Sequence, residues 1–265
     1  MTIAYDSTFF ANVAHDSLRS ARVVVPMIME LLMPQSVVDV GCGTGAWLRA
    51  FVENGVSEIQ GIDGDYIDRE KLLIDSQNFV AQDLTESIVL DRSYDLALCI
   101  EVAEHLPCTS AAGLVEQLVR AAPAVMFSAA IPGQEGTNHL NEQWLSYWRS
   151  RFSEFKFTMI DAVRPQIRDD VRIAFYIRQN LVLFVSDSLL ASRPLHCFSS
   201  RKDDGCENEW VHIDVYKKWL ARATTEPGVK EVLRRFPSAI VRSVVRRMRV
   251  RSAPEGEKID QASIQ

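Results

Sequence analysis

The stretch SVVDVGCGTGAWL, Ser36 to Leu48, decides the fold. Val37–Val40 is short and β-branched around one acid, which suits a buried strand, while Ala46–Phe51 carries helix-forming residues with apolar spacing. Gly41, Gly43 and Gly45 therefore occupy a strand-to-helix turn. Lacking side chains, they let a ligand approach the main chain, and the helix that follows presents unpaired N–H groups. The spacing is G-x-G-x-G. A dinucleotide fingerprint places its third glycine one residue later, where this chain has Ala46, and alanine is sometimes allowed there. The turn alone thus leaves a dinucleotide in competition with another cofactor. The next strand, in EIQGIDGDY, ends on Asp63, placed to accept hydrogen bonds from two ribose hydroxyls in either class.

A chain of 265 residues with 47% hydrophobic content can bury one α/β core plus an appendage. The start MTIAYDSTFF has no basic and then apolar leader, and no stretch approaches the roughly 20 apolar residues of a membrane span, so a soluble cytoplasmic protein is expected. Five cysteines (Cys42, Cys99, Cys108, Cys197 and Cys206) are scattered without a C-x-x-C pair, so neither a disulfide frame nor a zinc site is indicated, and no metal is expected. The net charge of −6 hides an asymmetry: residues 230–251 carry Lys230 and seven arginines against the single acid Glu231. The body is accordingly acidic, and a general nucleic-acid partner is not expected, because phosphate affinity comes from Lys and Arg.

Apolar residues from Phe9 through Leu32 predict N-terminal helix, broken or bent near Pro26 and covering one edge of a sheet. Strand and helix patterns then alternate: Val37–Val40, Ala46–Asn54, Ile59–Ile62, a segment at Arg69–Ile74, Asn78–Ala81, Tyr94–Ile100, Ala111–Ala122 and Ala124–Ala129. Such alternation gives a parallel sheet with crossover helices. A helix over Glu142–Phe152, a strand over Phe155–Ile160 and the apolar run Leu181–Val185 supply an antiparallel closing pair. The fold class expected is an α/β Rossmann-like three-layer sandwich with N-terminal helices and a C-terminal helical tail. Its parts would be a helical cover (1–34), the central domain (35–187), an irregular extension (188–228), a basic amphipathic helix (229–251) and a disordered tail (252–265).

Taken in order, VVDVGCGTG, GIDGDY, FVAQDL and YDLALCIEVAEHLP resemble a class I S-adenosylmethionine (SAM)-dependent methyltransferase over roughly residues 35–185. The EVAEHL segment is similar to O-methyltransferases of the ubiquinone-biosynthesis type. FSAAIPGQEGTNHLNEQWLSYW and FYIRQN resemble bacterial methyltransferases found with polysaccharide and glycoconjugate genes. The resemblance implies SAM as cofactor. It implies that Asp39 reaches the methionine amino group, that Gly41, Cys42, Gly43 and Gly45 lie against the cofactor, and that Asp63, with Gly64, holds the ribose. Asp83 would accept from the adenine amino group beside Leu84, and Ile100 and Glu101 would flank the methionine part. An amine, a diol and an exocyclic NH₂ are all donors that carboxylates satisfy. For Asp83 the plain alternative is a helix cap, a role common for a lone acid after a strand.

Methyl transfer from a sulfonium needs alignment and, for a hydroxyl acceptor, removal of a proton. Histidine is the first side chain to seek. His105 follows the fourth strand and His139 lies in GTNHLNEQW beyond the fifth, both at the crevice where open α/β sheets bind ligands. His139 ranks first, because its loop carries Gly133, Gly136, Asn138 and Asn141 as a polar, adaptable wall, while His15, His196 and His212 lie elsewhere. Glu135, Asn138, Glu142, Gln143, Trp144 and Trp148 are candidates to orient a small-molecule or glycan acceptor, although two aromatics four apart on a helix, as Trp144 and Trp148 are, more often pack in a core. No Asp/Asn-Pro-Pro-aromatic motif of amino-methylating DNA enzymes follows the fourth strand, and nothing in the sequence activates Cys108 as a nucleophile. An NAD(P)-dependent oxidoreductase and a non-catalytic SAM-fold subunit are the competing classes. In VKEVLRRFPSAIVRSVVRRMRVR, apolar residues recur at helical spacing opposite arginines, and Pro237 limits the helix to about residues 237–250. That face suits the acidic body or a second subunit first, and then a membrane surface, which would hold the protein at the inner face of the membrane.

Overall fold

In the computed structural model, residues 7–134, 136–193, 195 and 211–225 are described. The basic segment expected over 229–251, the tail beyond it, Glu135, His196, Cys197 and Cys206 lie outside them. Two units are distinguished, 1–216 and 217–265.

The valine run forms β1 (Ser36–Val40), every residue of which is buried. A β-branched strand with no exposed face belongs at the centre of a sheet. It pairs in parallel with β2 (Glu58–Asp63) on one side and β4 (Leu96–Ile100) on the other. Outward from β2 lies β3 (Phe79–Ala81), and outward from β4 lies β5 (Ala124–Ser128), both also parallel. The closing pair is β6 (Phe157–Ile160) and β7 (Val182–Ser186). β7 runs antiparallel to both β5 and β6, giving the order β3-β2-β1-β4-β5-β7-β6. The expected mostly parallel sheet with an antiparallel closing strand is therefore present.

Alternate residues of each strand feed opposite cores, as the period of two requires. Val37, Leu96, Leu98, Ala124 and Met126 pack with α1 (Ser7–Leu32) and α2 (Ala46–Glu53). Val38, Val40, Ala97, Cys99, Val125 and Phe127 pack with α3 (Ala111–Ala121) and α4 (Leu145–Ser153). The N-terminal helix thus lies in one of the face layers instead of covering an edge. It also runs unbroken through Pro26, although proline there forfeits the bond to the Arg22 carbonyl. Fully buried Ala21, Val24, Val25 and Ile28 offset that loss.

Three further expectations are corrected. Arg69–Ile74 forms only a short 3₁₀ turn at Arg69–Lys71, so β2 reaches β3 without a crossover α-helix. The helix expected from Glu142 begins at Leu145, with Trp144 extended at its start. Within 188–228, expected to be irregular, the described residues include α7 (Asp187–Ser192) and α8 (Ile213–Thr225). Two short helices not foreseen, α5 (Arg164–Ile167) and α6 (Phe175–Asn180), precede β7. Among the described residues no helix is long and apolar enough to cross a membrane.

Candidate active site

The carboxyl ends of β1, β2 and β4 meet at the glycine turn. Gly41 N–H and Cys42 N–H both donate to the Ile62 carbonyl, at 2.8 and 3.1 Å, which ties the turn to β2. Gly41 has φ +83°, and a Cβ there would come within 2.3 Å of Val102, so the position admits only glycine. Gly43, at φ +53°, differs: an added Cβ would meet nothing within 4 Å, leaving its main chain open to a ligand. The Cys42 thiol is buried against Gly61, and burial pushes its pKa well up, so it contributes main chain and packing and no nucleophile.

Two acids flank this turn. Asp63 receives Gly43 N–H and Gly64 N–H, each at 2.7 Å, and the Tyr66 hydroxyl at 2.5 Å. Its oxygens are thereby aimed across the turn, and Tyr66, quoted in the sequence but given no role, is the donor that covers Gly64. Asp39 is the opposite case. Both of its carboxylate oxygens are buried without a hydrogen-bond partner, and burial, then the nearby Asp63, push its pKa up to about 8. An orphaned buried acid beside an open glycine main chain fits a cofactor carrying an ammonium group, which would supply the missing donors.

Asp83, expected at the adenine amino group, follows β3. It is exposed, and its Oδ1 accepts from Thr85 N–H at 2.8 Å and from the Thr85 hydroxyl at 2.7 Å, which lowers its pKa. It therefore caps the turn after β3. Gln82 N–H donates to the Asp63 carbonyl at 2.8 Å, so this turn adjoins Asp63. Leu84 packs with the second core, alongside Ile88 and Leu90. Ile100 ends β4 half-buried, and Glu101 follows with φ +54°, a strained value for a residue with a side chain.

The second half of the site is built on that strain. Glu101 accepts from Gln134 at 3.2 Å and from Asn180 at 3.0 Å, while Asn180 also donates to Gln134 at 3.0 Å. Glu104, fully buried, accepts from Ala130 N–H at 3.2 Å through Oε1, whereas no N–H or O–H donor reaches its Oε2. The Glu101 carboxyl lies nearby. Burial first, then repulsion from Glu101, push the Glu104 pKa well up, and burial raises Glu101 as well. The loop carrying His139 folds back on this corner, since Leu140 N–H and Asn141 N–H donate to the Glu104 carbonyl at 2.7 and 3.0 Å. His139 is thereby brought edge-on to His105, with ring centroids 4.9 Å apart. Burial, then the neighbouring His139, lower the pKa of His105, while a hydrogen bond to the Asn138 main chain opposes the shift.

The structure thus joins the two histidines that the sequence offered as alternatives. It also reassigns their neighbours. Glu142 accepts from His139 Nδ1 at 2.8 Å and from Gly133 N–H at 2.7 Å, so it positions a histidine instead of facing an acceptor. Asn138, at φ +60°, offers main chain to His105. Gln143 donates to Asn141 at 2.9 Å, and with the exposed Trp144 it lines a small pocket that Arg164 and Asn180 also border. Trp148 is core, packed at 5.1 Å against Phe127. His212 is buried elsewhere, against Arg168 and Arg178, and α1 contains His15. The sequence reading passed over Glu104, Gln134 and Asn180. The signal for Glu104 was present in E-x-x-E-H, whereas nothing local marks Asn180.

This arrangement, a glycine turn flanked by two acids at the carboxyl edge of a doubly wound sheet, defines a cofactor-binding α/β fold with a second polar corner beside it. A family described as "Methyltransferase domain" matches residues 17–164. The chain belongs to that family, and SAM is its methyl donor. No curated protein sequence matches. Among solved structures, an O-methyltransferase family protein from Burkholderia thailandensis is 10% identical, with 69% of this chain and 61% of that one covered at a TM-score of 0.50. Magnesium protoporphyrin IX methyltransferase from Synechocystis PCC 6803, solved with SAH, is 18% identical, covering 69% and 89% at 0.47. Human N-acetylserotonin methyltransferase, in complex with SAM, is 14% identical, covering 68% and 54% at 0.47. These likenesses concern the fold.

Proposed function

We propose that the protein transfers the methyl group of SAM to a hydroxyl of a small polar acceptor, with a sugar or glycoconjugate as the acceptor class. The observation that carries this reading is the corner formed by Glu104, His105 and His139, on the segment whose Val102 packs against Gly41 of the glycine turn. A hydroxyl is a weak nucleophile until its proton is drawn off, so a cluster of bases suits an oxygen acceptor. His105, its pKa lowered, is neutral at pH 7 and able to take part. Trp144 and Gln143 beside the pocket support a sugar, because an aromatic face stacks on a ring and an amide meets hydroxyls. SAM supplies an electrophilic methyl on a good leaving group. Asp39, Gly43 and Asp63 hold it, and the histidine corner handles the proton.

Labelled methyl transfer tests the reading directly. Incubation with methyl-labelled SAM and an extract of the producing cell's glycolipids, sugar nucleotides and polysaccharide should place label on a hydroxyl of one component. Label on nitrogen, or none, overturns it. Gly43→Val should weaken SAM binding by ~10-fold or more, because φ +53° disfavours a β-branched residue and its side chain enters the space over the turn. Calorimetry on the folded variant checks this, and unchanged affinity would remove the turn from the site.

A further inference from the structure

We propose that Glu104, His105 and His139 hold a divalent metal cation, and that the acceptor hydroxyl binds that ion as an oxygen ligand. The ion site stands on these residues alone; its use by the acceptor rests on the methyl-transfer reading above.

One ligand atom from each of the three residues lies within 4.8 Å of the other two. An ion with ligands at ~2.1 Å separates neighbouring ligand atoms by ~3 Å and opposed ones by ~4.2 Å, so the side chains need draw in only slightly. The unpartnered atom is the second observation. Glu104 Oε2 is buried with no hydrogen-bond partner, a position that a bound cation would satisfy. The histidines are already set as ligands. His139 has its Nδ1 on Glu142, which is in turn fixed by Gly133 N–H, leaving Nε2 over. That Nε2 lies against Gly136, where an added Cβ would come within 2.0 Å, so any larger residue would displace the ring. His105 has one ring nitrogen on the Asn138 main chain, leaving the other. A ring held by a carboxylate or carbonyl through one nitrogen is how a metal-binding histidine is oriented.

Two imidazoles and a carboxylate favour Mn²⁺, Co²⁺ or Zn²⁺ over Mg²⁺ or Ca²⁺, which prefer all-oxygen sites. Three protein ligands leave coordination positions for oxygen. A hydroxyl bound there loses its proton more readily, and a neighbouring hydroxyl of the same sugar could close a chelate ring. The acceptor class follows: a diol or similar pair of oxygens, in place of an isolated alcohol.

Mn²⁺ is the probe. Full-length protein, stripped with chelator and shown folded by circular dichroism, should bind one Mn²⁺ per chain by calorimetry, and spin-echo resonance should show nitrogen coupled to the ion. Glu104→Gln and His105→Ala should each weaken binding ~10-fold or more, the latter removing part of the nitrogen signal. Glu142→Gln should weaken it ~10-fold through His139. Asp170→Asn, at the exposed pair with Arg172, should change nothing. Absence of Mn²⁺ binding, or equal binding by Glu104→Gln, overturns the ion site and leaves a proton-sharing carboxyl pair. If Mn²⁺ binds but chelator leaves methyl transfer unchanged, the acceptor half falls while the methyltransferase reading stands. If Mn²⁺ binds as described but no hydroxyl takes label, that reading fails, the acceptor half with it, and the ion site is retained.

Discussion

Asp39→Asn is expected to stabilise the cofactor-free protein while weakening SAM binding by roughly 100-fold. The two effects have one cause. Asp39 sits near the carboxyl end of β1 with both oxygens buried and unpartnered, and burial, then Asp63, raise its pKa from 3.8 to about 8. A carboxyl whose folded pKa lies above its unfolded one keeps its proton longer when folded. Its contribution therefore favours the fold most below about pH 4, declines as pH rises, and levels off above about 8. Asparagine carries no charge and removes that slope. Its amide is unpartnered too, so the gain at neutral pH is about 1–3 kcal/mol, or several degrees in melting temperature. The cofactor reverses the balance, because an ammonium beside Asp39 favours the ionised form. SAM binding at pH 7 should then release a proton, and affinity should rise with pH toward 8. Melting curves across pH and calorimetry in buffers of different ionisation enthalpy measure both. A pH slope unchanged in the variant, or SAM bound as tightly as before, would separate Asp39 from the cofactor.

The half of the site that is legible in sequence is the half made by one local device. A ligand lying on main chain demands glycine, a strand end and a following helix within a dozen residues, and Ser36–Leu48 shows all three. Asp63 was equally accessible, because a second strand ending in an acid must finish at the same sheet edge. The other half is assembled at long range. Asn180 reaches Glu101 from 79 residues away, and Gln134 from 33. Neither carries a local signature, since an amide at a helix end or in a loop is unremarkable until its partner is known. Glu142 was visible as a polar residue near the pocket, but its partner was not, and an orienting carboxylate reads in sequence like a substrate contact. Asp83 shows the reverse case: the local alternative was a helix cap, and the structure has an Asx turn with Thr85 on its Oδ1. Pro26 shows tertiary packing overriding a local rule, because four fully buried neighbours outweigh one lost helix hydrogen bond.

His139→Ala should lower turnover by ~10²-fold or more with SAM affinity nearly unchanged. Asp39, Gly43 and Asp63, the proposed cofactor contacts, lie on the β1–β2 side, whereas His139 belongs to the corner beyond β4 and β5, so its loss should fall on the acceptor's proton. Comparison with His105→Ala separates two ways of removing that proton. A single general base makes the effects unequal: one histidine carries the loss, and the other variant stays within a few-fold of the parent. A shared cation makes them alike, because removing either ligand empties or misplaces the ion, and added Mn²⁺ then restores part of the lost rate in both. Glu142→Gln should follow His139→Ala with a smaller loss, since an amide can still hold Nδ1 but no longer polarises the ring. Initial rates on one labelled acceptor, with and without chelator, give the comparison. Near-parental turnover in all three variants would mean that alignment alone drives the transfer, with the histidine corner serving only to fold the 131–145 loop onto Glu104.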